Sequence, residues 1–297
     1  MNFYALLGAL ETGLIFGFVA LGTYITFRLL KFPDITVEGS FPLGGAVAAA
    51  SIVAGANPYL ATLLAFVAGM LAGSLTAFLN VRLRILHILS GILASVAMYS
   101  VNMRIMGRPN TPLLGTDTVF TGLGAHFVGS AYAVPLVLIL LCAAIVLLLN
   151  RFLASETGLA LRATGANPRM AAAYGIHTGR MTWLGLAMAN GLSALGGALF
   201  AQTQGSADVN MGGGVVVVGF AAVIGGGVLI RNTTIVRATL SALVGAVLYR
   251  IAVALALDVD SIGLTPSDLN MVTAALVALA LVAPGVGLAG ALRGRKA

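Results

Sequence analysis

Nine stretches are long and apolar enough to enter a bilayer, and they constrain this chain more than any other feature. They fall at about 11–30, 41–56, 59–80, 85–106, 133–150, 182–202, 213–230, 235–257 and 268–284, against the ~20 residues that a spanning helix needs. The second and seventh are short and glycine-rich, so they are expected to be broken or only partly spanning. Charged residues make up 8% of the chain and apolar residues 59%; soluble proteins carry about 25% charge, and no soluble fold could hide this much apolar surface. Small residues recur at helical spacing, at Gly13/Gly17, Gly69/Gly73, Ala187/Gly191 and Ser241/Gly245, which suits close helix packing in lipid. The expected fold is an all-α polytopic membrane protein of about nine transmembrane or partly spanning helices, one domain over residues 1–297. Its first residues lack a basic start, so no cleavable signal peptide is expected. The single cysteine, Cys142, lies in an apolar run, so no disulfide framework is expected.

The formal charge of +7 invites a nucleic-acid reading, which its placement excludes. Basic residues sit at segment ends, where they report topology. With the N-terminus outside, thirteen of the sixteen fall on the inner side: Arg28, Lys31, Arg82, Arg84, Arg151, Arg162, Arg169, Arg180, Arg231, Arg237, Arg293, Arg295 and Lys296. The outer connections instead carry Asp117, Asp208, Asp258, Asp260 and Asp268. The C-terminus is therefore expected in the cytoplasm, together with the longest polar interruption, residues 151–181.

Within that interruption, Asn167-Pro168 is a helix-start signal, since Asn caps free N–H groups and Pro loses no bond at the first position. Gly175 suits the left-handed residue after a helix end. The pattern predicts a helix over Pro168–Tyr174 of about two turns, preceded by a shorter helical piece around Leu159–Thr164. A capped basic knob on a membrane protein reads as a docking element.

The chain carries no motor of its own. A phosphate-binding loop needs Gly-Lys-Ser/Thr, and the two lysines, Lys31 and Lys296, follow Leu30 and Arg295. His87, His126 and His177 have no metal-ligand spacing and form no recognisable catalytic set, so neither an enzyme nor a resident metal is expected. An ion-coupled carrier would need intramembrane carboxylates; Glu11, Asp34 and Glu38 are the acids near the first segments, and segments three to seven hold none.

Polar residues in the apolar segments are candidates for a pathway. Segment four aligns His87, Gly91, Ser95, Met98 and Asn102 on one side, with Ile88, Ile92, Leu93 and Val96 opposite; segment six aligns Asn190, Ala194, Gly197, Ala201 and Gln204. Such stripes either line a translocation path or hydrogen-bond between helices. Arg250 lies roughly 12 Å inside the outer end of segment eight, as a counter-charge for a substrate carboxylate or as a side chain reaching toward Asp258 or Asp260. Between segments one and two, Asp34, Glu38 and Ser40 sit between Pro33 and Pro42, as a re-entrant box facing a cavity or as an ordinary turn.

These residues resemble a family. Gly158, Arg162, Ala163, Gly165, Asn167, Pro168, Ala171, Gly175 and Ile176, followed by the run from Asn190 to Leu199, match the pattern of membrane subunits of ABC importers of the branched-chain amino acid and ribose type. The Pro33–Ser40 box with Leu43-Gly-Gly and the run Gly219–Gly227 agree with it. Leu89–Leu93 and Asn102–Asn110 resemble a subgroup of permeases, some associated with aromatic amino acids. The resemblance implies a permease subunit, a homodimer or pseudo-dimer, with two cytoplasmic ATPase subunits and an extracytoplasmic substrate-binding protein in a bacterial inner membrane. ATP and magnesium would be used by the ATPase and not bound by this chain. The coupling surface would comprise Gly158, Arg162, Ala163, Gly165, Asn167, Pro168, Arg169, Ala171, Tyr174 and Gly175. Glu38 is an extra acid relative to sugar-type members, and an additional leading helix is missing, so the cargo reads first as an amino acid, with sugars, nucleosides and vitamins open.

Overall fold

A computed structural model describes residues 3–124, 132–230 and 233–257, with positions 275 and 278. The ninth apolar window apart from those two positions, Arg231, Asp258, Asp260, Asp268 and the basic tail lie outside the described residues. The elements run α1 (Phe3–Thr23), α2 (Val37–Val53), α3 (Pro58–Ala77), α4 (His87–Met106), β1 (Asn110–Pro112), α5 (Val119–Gly124), α6 (Ala133–Ala154), α7 (Glu156–Ala166), α8 (Pro168–Ala173), α9 (Thr178–Gln204), β2 (Ser206–Asp208), α10 (Val215–Leu229) and α11 (Ile235–Leu257).

Six of these helices are long and apolar enough to cross a membrane, while α2 and α10 are shorter apolar helices. At 17 and 15 residues they reach about 25 and 22 Å, short of the ~30 Å hydrocarbon core. The protein is a polytopic all-α membrane protein, as its apolar windows require. The first helix starts earlier than the window near residue 11 implied, at Phe3, because Glu11 alone does not interrupt a helical run. Both α1 and α3 continue through a π-helical turn, Tyr24–Leu29 and Phe78–Arg82, before Lys31 and Arg84 reverse the chain at φ 55° and 56°.

The long α9 is the central post, packed along α1, α2 and α3, while α11 packs on α1 and α10. A displacement of 174 residues relates the two halves. A Cβ on Gly22 would meet the carbonyl of Ala189, and one on Gly196 would meet the carbonyl of Ile15; shifting the first pair by 174 gives the second with its roles exchanged. The same holds for Gly45 against Gly197 and Gly219 against Thr23, and for Gly13 against Val247 and Gly73 against Ala187. The reciprocal contacts run antiparallel along α1 and α9, so the relation is a pseudo-two-fold across the helix axes, an inverted repeat. Each short helix packs on the long helix of the other half: α2 on α9, and α10 on α1.

The two ends of the bundle differ. One end gathers α7, α8 and the π-helical ends of α1 and α3, with Gly165 against Leu29 and Gly179 against Val81. The opposite end is clasped by antiparallel β1 and β2, which pair Asn110 with Asp208 and Pro112 with Ser206. Beneath them, Ile52, Ala61, Met106, Leu113, Ala201 and Ala207 form a small core.

Candidate functional site

The basic interruption folds as two helices whose lengths reverse the expectation from sequence. The first, α7, is 11 residues and the second, α8, only 6. Ser155 accepts from the backbone of Gly158 at 3.3 Å, a cap that lengthens α7 at its start. Asn167 Oδ1 accepts from Met170 N–H at 3.1 Å, and Pro168 opens α8. Gly175 closes it at φ 83°, in the left-handed region that favours glycine.

The pair has a seated side and an open side. Leu161, Thr164 and Gly165 are buried, Leu161 beside Gly185 of α9 and Gly165 against Leu29 at the end of α1, and Ala171 is the buried residue of α8. Gly165 admits no side chain, because a Cβ there would run into the carbonyl of Leu29. Arg162 and Ala163 are half-buried, with Arg162 Nε lacking a hydrogen-bond partner. Pro168, Arg169, Met170 and Tyr174 face outward, with Tyr174 76% exposed and Leu159 58%. Beside them, a groove of about 960 Å³ runs between α3 and the start of α9, lined by Arg82, His177, Arg180 and Trp183 among others.

The box between α1 and α2 is fastened to α9. Asp34 is buried; its Oδ1 accepts from Thr36 N–H at 2.9 Å and its Oδ2 from Asn190 Nδ2 at 2.7 Å. Asn190 Oδ1 accepts from the Ser40 hydroxyl at 2.7 Å, and Thr36 and Thr76 hydroxyls pair at 2.7 Å. Gly91 lets α4 approach, since a Cβ there would meet Ile35 N at 2.9 Å. Polar partners thus replace the water that an irregular backbone would otherwise need.

The candidate pathway residues separate into several places. His87 stacks on Phe32, ring centroids 4.4 Å apart. Met98 packs with Leu43 and Ala72. Asn190 belongs to the box, and Gln204 is exposed at the end of α9. Arg250 lies over the ring of Phe16 at 3.9 Å. Ser95 and Asn102 meet Glu38 at a cavity of about 180 Å³, together with Tyr99 and Asn210. Sequence reasoning passed over Tyr99 and Asn210. It also passed over Gln202, which lies off the α9 stripe and accepts from Val119 N–H at 3.0 Å while donating to Thr62 at 2.9 Å. Among the described residues no group of three His, Cys, Asp or Glu could hold a metal ion.

Comparison with known proteins places this geometry. Residues 5–283 match the family model of the branched-chain amino acid transport system permease component. A tyrosine transport system permease protein of Clostridioides difficile (strain R20291) is 36% identical over 280 residues, covering 94% of this chain and 91% of the relative. An uncharacterized protein of Rickettsia prowazekii (strain Madrid E) is also 36% identical over 280 residues, covering 93% and 96%. The solved structure of PsaBC from Streptococcus pneumoniae in complex with Fab shares the fold, with a TM-score of 0.52 at 18% identity over 94% of this chain and 91% of that one. The chain belongs to the branched-chain amino acid transport system permease family, an ABC-type permease family of multi-pass membrane proteins.

Proposed function

We propose that this chain is the membrane-spanning subunit of a binding-protein-dependent ABC importer of amino acids, aromatic ones first. The observation that carries the reading is the outward face of α7 and α8, a capped and seated helix pair with Arg169, Met170 and Tyr174 open at the basic end of the bundle. Positive residues favour the cytoplasmic side, so that end is cytoplasmic and the β1–β2 clasp extracytoplasmic, in a bacterial inner membrane. Two copies of the chain with two ATPase subunits make the transporter. Magnesium and ATP are used by the ATPases; their closure moves the seated pair as a rigid body and alternates access between the two sides. The aromatic preference follows the relative named for tyrosine transport.

The test is co-expression with the ATPase and binding protein encoded beside this chain, then reconstitution in liposomes. The expected result is co-purification of the ATPase and ATP-dependent uptake of tyrosine, both weakened by Arg169→Glu or Pro168→Gly. Uptake by the permease alone, driven by an ion gradient, would overturn the assignment. ATP-driven uptake of a sugar, nucleoside or vitamin in place of amino acids would overturn the cargo only.

A further inference from the structure

The cavity beside Glu38 stands where the two repeats meet. Displacing Glu38 by 174 residues gives Gly212, and these two are in contact, since a Cβ on Gly212 would run into the Glu38 carbonyl. The flanking connections repeat as well. Asp34 takes the Thr36 N–H at 2.9 Å and Asp208 takes the Asn210 N–H at 2.7 Å, while Lys31 and Gly205 share positive φ. The pseudo-two-fold axis therefore passes beside Glu38, with the first turn of α2 on one side and the turn leading into α10 on the other. In secondary transporters built from inverted repeats, cargo is held at the repeat interface, and this cavity has the same place.

The cavity is rich in acceptors. Glu38 brings a half-buried carboxylate. Its carbonyl has lost the usual helix donor, because the residue four ahead is Pro42, which has no N–H. Asn102, 1% exposed, donates Nδ2 to the Gly39 carbonyl at 3.2 Å, and its Oδ1 has no partner. That orientation is fixed, since a carbonyl can only accept. No Lys or Arg lines the cavity to neutralise Glu38, whose carboxylate takes the backbone N–H of Gly214, and the buried Asn102 Oδ1 costs free energy until a donor reaches it. Lacking a second acid or a histidine beside Glu38, the cavity offers a divalent ion too few ligands. A group with one positive charge and several N–H donors fits it.

We propose that this cavity binds the α-ammonium group of the transported amino acid, with Glu38 as counter-charge and Asn102 Oδ1 as neutral acceptor. The assignment rests on the amino-acid reading above. Tyr99, 49% exposed at the same cavity, offers its ring to the side chain of the cargo.

The experiment uses the permease assembled with its ATPase in nanodiscs and saturation-transfer NMR with three probes. These are L-tyrosine, tyramine (the amine without the carboxylate) and 3-(4-hydroxyphenyl)propionate (the carboxylate without the amine). Expected are signals from L-tyrosine and tyramine but not from the propionate, with affinity at least about tenfold lower in Glu38→Gln and partly kept in Glu38→Asp. A second variant, Gly213→Val, adds bulk at a residue that lines the cavity without displacing backbone, since a Cβ there meets only Asn210 O at 3.5 Å; it should abolish both amine signals. Thermal melting of each complex controls for folding. Equal signal from the propionate, unchanged signals in both Glu38→Gln and Gly213→Val, or no amine signal from the unmodified complex would each overturn the subsite. ATP-driven tyrosine uptake that persists alongside any of these results would sink the subsite and leave the importer reading standing.

Discussion

Replacing Asn190 with alanine removes the side chain that hydrogen-bonds the α1–α2 box to α9. It gives up a bond to the Asp34 carboxylate at 2.7 Å, one from Ser40 at 2.7 Å and one to the Leu186 carbonyl at 3.0 Å. A bond to a charged group is worth about 1.5–3 kcal/mol and each neutral one about 0.5–1.5. The variant also strands a carboxylate that is 3% exposed. The expected loss is about 3–5 kcal/mol, the middle of the range that those three bonds give together. SDS-induced unfolding in bicelles measures it, and a double-mutant cycle with Asp34→Ala isolates the pair. Such cycles in membrane proteins average about 0.6 kcal/mol with a maximum near 1.7, because unfolded helices find other partners in the bilayer. Here both groups are buried and one is a carboxylate, so the coupling should reach about 1.5 kcal/mol. A coupling at or below the membrane average, or a single-variant loss under about 1 kcal/mol, would refute the view that this contact anchors the box.

Gly197→Ala drives a methyl group into the Phe41 carbonyl, where only backbone can yield, and should cost about 1–3 kcal/mol in the same unfolding assay. Gly225→Ala, in α10 with nothing within 4 Å, should instead be neutral or gain up to about 1 kcal/mol from helix propensity. Arg250→Ala and Phe16→Leu each remove the cation–π contact and should each cost about 1–2 kcal/mol, with the double variant costing less than their sum. Asn167→Ala deletes the α8 cap, worth about 1 kcal/mol, and should speed hydrogen exchange over residues 168–174 and lower ATPase recovery on co-purification.

Much of the fold was legible because membrane helices announce themselves by run length alone. The windows from the first to the eighth each coincide with a helix, and the short, glycine-rich pair proved to be α2 and α10. The Asn167 cap and the Gly175 stop were readable too, since both are local backbone requirements. The relative lengths of α7 and α8 were not, because what seats α7 is Gly165 on the end of α1 and Leu161 beside Gly185 of α9, contacts between distant segments. The inverted repeat escaped for a similar reason. Its signature is a handful of positions, such as Leu21-Gly22 with Leu195-Gly196, Asp34 with Asp208 and Gly45 with Gly219. Lipid selects similar apolar residues everywhere, so such matches stand out only once reciprocal contacts single them out. Polar stripes at helical spacing identified Ser95 and Asn102 as neighbours on one face, yet not that the same face of α4 would meet Glu38 and Asn210.

The cross-packing of the two halves sets a timetable for biogenesis. Asp34 and Ser40 find their partner Asn190 at separations of 156 and 150 residues, and Thr62 finds Gln202 after 140. At roughly 5–20 residues per second of synthesis, Asp34 waits about 8–30 s at the ribosome before α9 exists to receive it. During that interval Asp34 keeps the Thr36 N–H but lacks Asn190, and Gly22, Gly44 and Gly69 lack the α9 backbone that covers them. The last turn of that clock is α9 itself, whose arrival closes the first half before α10 and α11 dock on α1.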